Sequence, residues 1–447
     1  MTLAASLAPA LLALALSQGT PPPPAWTGQR PATPAGTEPE VQPPQPSRTE
    51  DPVVTQGIPF MPDVAPARRP SDGVHLDAGI LSELRSRSLV SDASVTWGTD
   101  VEVTPGLALE VGTPVLVLSV GYAPRLTFPL AQGGFELAVL NRGTVRGEWR
   151  MTPLWTASAL GVFVVGDYSQ LMPASTPGGA GPPPPVLNPI RSFQSYPYVG
   201  IDTILRLDGQ LSRRSRLRLA GGYFDVGGTG PVGEANQPRA WGPQGEATFA
   251  WDASPEATLS TRAAGQSWIM SGNEYVLVAT LTESWRHSWT PQLETTLGLG
   301  AGVSNREVES RTAAGKVVPV ALASMVYRTD SRQPFRLSVD VGLSPYFDTY
   351  VRIPYQRITL GLGLDWNPSD AWRLGASFNG AVVPYSQRVP ESYGTAGVSA
   401  SYSPLQVITL SIGGFSQSQF QGAADGGGSF RQWTLYFSLG LADRFAF

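Results

Sequence analysis

From about residue 115 to the C-terminus, the chain repeats one pattern: apolar residues at every second position, with polar or small residues between. Phe335, Leu337, Val339, Val341 and Leu343 alternate with Arg336, Ser338 and Asp340. Ile358, Leu360, Leu362, Leu364 and Trp366 alternate with Arg357, Thr359, Gly361, Gly363 and Asp365. Trp433, Leu435, Phe437, Leu439 and Leu441 alternate with Gln432, Thr434, Tyr436, Ser438 and Gly440. Successive side chains of a strand point to opposite sheet faces, so each segment has one oily and one polar face. Beyond Ser17 no apolar run approaches the ~20 residues of a membrane helix. The pattern therefore predicts an all-β chain.

Candidate strands fall near 115–128, 136–149, 154–167, 194–208, 215–226, 241–251, 256–269 and 274–288. Others follow near 292–305, 316–328, 335–346, 355–366, 371–383, 392–403, 407–419 and 430–445. The count is about 16, within a range of 14–18, with each boundary placed to within a few residues. Weaker alternation at 95–103 and 107–112 would add a hairpin. Connections alternate in length. Met151–Pro153, Asp252–Pro255, Trp289–Pro291, Asn367–Ser369 and Ser403-Pro404 are tight, and 209–214 and 329–334 slightly longer. The intervening 168–193, 227–240, 306–315, 384–391 and 420–429 are mostly longer; only the connection at Ser271-Gly272 departs from this. Short turns on one rim and longer loops on the other predict an antiparallel up-and-down transmembrane β-barrel over 115–447.

Tryptophan placement agrees. Trp149, Trp155, Trp251, Trp285, Trp289, Trp366 and Trp372 flank tight turns and fall on the apolar face. Tryptophan prefers the membrane–water boundary, so these seven predict an aromatic girdle. The polar face carries Arg142, Arg146, Glu148, Asp202, Arg206, Asp208, Arg218, Glu246 and Arg262. It also carries Glu294, Arg336, Asp340, Arg357, Asp365 and Arg373. These are the candidate lumen-lining residues, either paired across neighbouring strands or facing water. Asp225 and Glu283 fall on the apolar face, which a bulge or a position near a rim would explain.

Composition excludes several function classes. Only 15% of the 447 residues are charged and the net charge is −4, so a basic nucleic-acid surface is not expected. Cysteine is absent, which excludes disulfides, thiolate zinc sites and cysteine nucleophiles. His75 and His287 are the two histidines and leave little for a metal site. No catalytic, metal or cofactor-binding residue and no cofactor is expected. An outer-membrane lipase would need a Ser–His pair on the outer side, whereas His287 lies by a short turn and His75 before the predicted barrel.

The N-terminus reads as an export signal over residues 1–17. Leu3–Leu16 is apolar, and Ala15-Leu16-Ser17 suits signal-peptidase cleavage, although the n-region has no Lys or Arg. Residues 18–72 read as a disordered periplasmic tether, with 15 of the 42 prolines between Gln18 and Pro70. Within it, Glu50-Asp-Pro-Val-Val-Thr55 loosely resembles the TonB box of energised receptors. Those receptors carry a plug and a 22-stranded barrel that this chain has no room for, so the segment reads as linker. Residues 73–114 are a transition segment, with Asp77–Arg87 as a short helix.

The export run, the dyad strands and the C-terminus Ala442-Asp-Arg-Phe-Ala-Phe447 together resemble Gram-negative outer-membrane β-barrel proteins. Phrases such as Gly121-Tyr-Ala-Pro-Arg125 and Ser401-Tyr-Ser-Pro404 are similar to those of uncharacterised myxobacterial-type barrels. The resemblance implies an outer-membrane location and a signal for the barrel assembly machinery at Phe437, Phe445 and Phe447. It also implies outer-membrane lipid as surroundings.

Three functions compete. A porin-like channel would pass small hydrophilic solutes, with loop 168–193 folded inward. A non-conducting barrel would bind a partner through its loops, or a periplasmic or cell-wall partner through the tether. An outer-membrane enzyme is the most remote.

Overall fold

Eighteen strand positions close into one antiparallel cylinder. The computed structural model describes residues 73–91, 94–130, 137–169, 195–236, 238–271 and 274–308. It also describes 311–329, 333–348, 353–383, 392–405, 407–420 and 429–446. The strands begin with β1 (Gly73–Ser91), β2 (Ser94–Gly112), β3 (Leu116–Tyr122), β4 (Arg125–Pro129), β5 (Ala138–Thr152) and β6 (Trp155–Ser169). Then come β7 (Ser195–Gln210), β8 (Ser215–Gly228), helix α1 (Gly230–Asn236), β9 (Ala240–Asp252), β10 (Ala257–Met270) and β11 (Glu274–Ser288). Next are β12 (Leu293–Val308), β13 (Arg311–Arg328), β14 (Phe335–Asp348), β15 (Ile353–Ser369) and β16 (Trp372–Val382). The set ends with β17 (Ser392–Leu405), β18 (Ile408–Phe420) and β19 (Ser429–Ala446).

Each strand pairs with its neighbours in sequence, and β1 pairs with β19 from His75↔Ala446 to Ser91↔Phe430. That seam leaves no sheet edge. The nineteen segments fill eighteen places, because β3 and β4 lie end to end between β2 and β5. Ala123-Pro124 separates them, and proline has no N–H to give the ladder.

The count of about 16 is thus corrected to eighteen places. The added pair comes from residues 73–114, which are barrel wall and not a transition segment. Asp77–Arg87 is extended strand in β1, not a helix, and 94–112 is the single strand β2, not a hairpin. The physical reason is a dyad pattern that is plain once the partners are known: Ile80 and Leu84 face outward and are exposed, while Glu83 and Arg85, on either side of Leu84, are buried inside. The connection 306–315 is corrected too, since β12 runs to Val308 and β13 starts at Arg311. The predicted export signal and tether, residues 1–72, lie outside the described residues.

One rim carries the tight turns, such as those at 153–154, 211–214, 253–256, 289–292 and 370–371, and both barrel ends. Turn hydroxyls cap them locally: Thr290 Oγ1 accepts from the Leu293 amide at 3.0 Å, and Ser254 Oγ from the Ala257 amide at 3.1 Å. The other rim carries α1 and the connections 383–391 and 421–428.

Candidate channel lumen

Alternation sorts the wall into two faces. Outside, Leu118, Phe163, Leu205, Leu281, Leu299 and Leu435 are exposed along with most other large apolar residues. All seven predicted girdle tryptophans sit on this face: Trp149, Trp251, Trp289, Trp366 and Trp372 are exposed, and Trp155 and Trp285 half-buried. The Trp155 ring lies over Gly209, where a Cβ would come within 2.3 Å of it. Trp285, His287 and Trp289 form one aromatic cluster, with His287 and Trp289 ring centroids 4.5 Å apart.

A second girdle, not read from the sequence, lies at the opposite rim: Trp97, Trp241 and Trp433 face outward there. On β9, Trp241 and Trp251 are ten residues apart. At about 3.3 Å per residue and a tilt of about 40°, that separation spans about 25 Å of height. This is the height of the apolar band of a membrane barrel.

The two acids predicted on the outer face do face outward, and the register runs through both without a bulge. Asp225 sits near the long-loop rim and takes a two-pronged bond from Arg239, at 2.8 Å from Nε and 2.6 Å from Nη2. Glu283 lies two residues from girdle residue Trp285 and accepts from Thr261 Oγ1 at 2.8 Å. Phe437 and Phe445 face outward on the closing strand; Phe447 lies outside the described residues.

The inner face holds every candidate lumen residue: Arg142, Arg146, Glu148, Asp202, Arg206, Asp208, Arg218, Glu246, Arg262, Glu294, Arg336, Asp340, Arg357, Asp365 and Arg373. Most meet a partner across the strands. Arg218 Nε donates to Asp208 at 2.7 Å, Arg216 to Asp252 at 2.7 Å, and Arg286 to Glu294 at 2.7 Å. Arg262 Nη2 reaches buried Glu246 at 2.8 Å, and Gln244 donates to Asp202 at 2.7 Å. Arg373 and Asp365 are 3.5 Å apart, and Arg146 and Glu148, which lie two residues apart on the same strand β5, are 3.9 Å apart.

At the seam the charges are more deeply buried. Arg85 bridges Glu83 and Glu102, with Nη2 2.8 Å from Glu102. Glu102 also takes Arg125 of β4. Asp100 stands across from Arg85 in the β1–β2 register, and Tyr436 across from it in the β1–β19 register.

Near the long-loop rim the inner face turns apolar. Leu140, Val162, Val164, Tyr198, Phe224, Trp268, Met270, Val276 and Phe347 form one buried cluster. Sequence reasoning missed it, yet a signal existed: Leu160–Val165 and Tyr275–Ala279 are apolar on both faces, the mark of a strand covered on both sides.

What covers this patch is the end of the β14–β15 hairpin. The β13–β14 pairing stops at Ala321↔Leu343 and the β15–β16 pairing at Ile358↔Val382. The hairpin itself continues to Asp348↔Ile353. Released from both neighbours, it leans into the bore. Pro345 packs over Gly302, where a Cβ would lie 2.7 Å from the proline ring. Gln356 Nε2 donates to the Pro319 carbonyl at 2.8 Å. Phe347, fully buried, reaches Trp268 on β10 with ring centroids 5.1 Å apart. Behind it, Arg357 lies 3.8 Å from the Tyr346 ring centroid, a cation–π contact. The hairpin narrows the sector of the bore in front of β11–β13. The loop 168–193, expected to fold inward, lies almost wholly outside the described residues.

The family model described as the EpsX exopolysaccharide export family matches residues 71–417. No curated protein matches the chain. Among solved structures, Pseudomonas aeruginosa OccK11 (OpdR) is similar at 11% identity and TM-score 0.44, covering 84% of this chain and 99% of that one. The outer membrane protein OpdK of the same organism is similar at 10% identity and TM-score 0.43, covering 83% and 99%. The FrpB iron transporter of Neisseria meningitidis is similar at 7% identity and TM-score 0.46, covering 84% and 82%.

Proposed function

The chain belongs to the EpsX exopolysaccharide export family, and we propose that it is an outer-membrane channel through which hydrophilic solutes pass and an exopolysaccharide leaves the cell. The observation that carries this reading is the inner wall: a closed eighteen-place barrel most of whose charged side chains point inward and most of whose large apolar ones point outward. Barrels of 16–18 strands leave an aqueous bore. Mixed charge suits a hydrated, hydroxyl-rich polymer, and gives small ions only a weak preference. The tight-turn rim, with both barrel ends, faces the periplasm in this reading. Residues 18–72 then extend from that side as a tether toward a periplasmic or cell-wall partner, after removal of the signal at 1–17. Strand β19 presents Phe437 and Phe445 to the assembly machinery.

Two measurements test this. The purified barrel in a planar bilayer is expected to conduct, and replacing residues 345–356 by a two-residue turn is expected to raise the conductance. A strain lacking the chain is expected to lose surface polysaccharide and regain it with the full-length protein. Absence of conductance from both folded barrels would favour the non-conducting, partner-binding reading. The Phe347–Trp268 contact across part of the bore is the one observation on its side.

A further inference from the structure

The outer wall carries a depression where a barrel is ordinarily convex. It holds about 600 Å³ and spans β14–β19. Four small residues make its floor: Ala376, Ala396, Gly414 and Ser416. Phe378, Trp433 and Leu435 stand higher around them. The register explains the shape. Trp433 pairs with Ser416, Ser416 with Ala396 and Ala396 with Phe378, so small side chains fall side by side on adjacent strands between two aromatic ones.

Such a row follows the hydrogen-bonding direction, across strands about 4.8 Å apart. With strands tilted by about 40°, it climbs obliquely. The groove's lower end is Leu337, near the tight-turn rim, and its upper end Trp433, near the long-loop rim. Two residues beyond Trp433 on the same outward row stands Arg431, exposed and with no ion pair among the described residues.

An oily trough in the membrane band, with a cation at one end, has the chemistry of a lipid site. The trough fits a hydrocarbon chain and Arg431 fits a phosphate, which guanidinium groups bind strongly. A second copy of the barrel fits poorly, because a two-fold interface sets a patch against itself and one concave floor cannot fill another. We propose that this groove holds one acyl chain of a phosphate-bearing lipid from the leaflet on the long-loop side, its phosphate on Arg431. The proposal needs only that the barrel spans a membrane, not that it exports polysaccharide.

Native mass spectrometry of the full-length barrel, extracted in mild detergent, tests it. The wild type is expected to retain one phosphate-bearing lipid per barrel. Ala396→Trp fills the floor and should lower retention at least about tenfold, a loss of about 1.4 kcal/mol. Leu205→Trp, on the opposite outer wall, should not. Arg431→Gln should lower retention of phosphatidylglycerol but not of diacylglycerol when each is supplied in nanodiscs. Folding is checked by faster gel mobility of unheated protein, and Ser416→Leu replaces Ala396→Trp should the latter fail that check. No lipid on folded wild type, or equal retention in the floor variants, overturns the proposal. A dimer that Ala396→Trp dissociates overturns it in favour of a second copy.

Discussion

Two regions of the inner wall use the same chemistry in different solvents. At the seam of β1, β2 and β4, Arg85, Glu83 and Glu102 have side chains only 2–4% exposed. On β7–β9, the Arg218–Asp208 and Arg216–Asp252 pairs keep 33–42% of their side-chain surface open. An ion pair in water is worth about 0–1 kcal/mol. A buried one is different: its net contribution is small, but removing one partner strands a charge and costs about 3–5 kcal/mol. The seam charges therefore act on register more than on net stability. A slip of one residue in β1 would turn Glu83 and Arg85 toward lipid, where an Arg at the midplane costs about 2–4 kcal/mol. The wall pairs, being wet, are placed to act on whatever fills the bore.

The largest expected effect is at the seam. Arg85→Met leaves Glu83 without its partner and Glu102 with only Arg125, so unfolding in urea from lipid vesicles should show a loss of about 3–5 kcal/mol. A loss below 1 kcal/mol would mean that the seam is as wet as the wall, and the contrast would dissolve. Arg262→Gln is the intermediate case, because Glu246 is fully buried yet keeps the Thr248 hydroxyl at 2.9 Å. Loss of a hydrogen bond to a charged group predicts about 2–3 kcal/mol there. Arg125→Gln should cost less, about 1–2 kcal/mol, since Glu102 keeps Arg85. If Arg125→Gln costs as much as Arg85→Met, the cluster works as one unit and only double-mutant cycles can divide it.

The same contrast shows where the sequence was readable. Outward apolar residues next to water-facing charges give a clean dyad, so the wall strands and the seven girdle tryptophans were legible. β1 was not, because Ser82, Ser86 and Ser88 occupy outward positions and blunt its oily face, leaving spacing that also suits a helix. Only its pairing with β19, from Ile80↔Leu441 to Leu84↔Phe437, reveals a strand. The inward lean of β14–β15 was hidden for another reason. Alternation assigns Phe347 to the lipid side with Leu343, but the pairing that enforces alternation on the wall ends at Ala321↔Leu343. Beyond that point tertiary contact with Trp268, four strands away, decides where the ring goes. The register-borne groove on β14–β19 likewise depends on which small residues face each other, and that is a property of pairs of strands.

The smallest stability effect should have the clearest functional trace. Arg218→Gln is expected to change unfolding free energy by less than about 1 kcal/mol, and a cycle with Asp208→Asn should give a coupling of about 0.2–1 kcal/mol. Salt should weaken that coupling, since exposed charges are screened over about 10 Å at 0.1 M. Yet Arg218 lies open to the bore, so removing its charge should shift the cation-to-anion permeability ratio of single channels toward cations. Arg85→Met removes a cation as well, but one sealed in the wall, and channels that do fold should keep the wild-type ratio. A shift in ratio from the seam variant with none from the wall variant would reverse the assignment of wet and dry charges. The bore would then run along β1, β2 and β4 instead of in front of β7–β9.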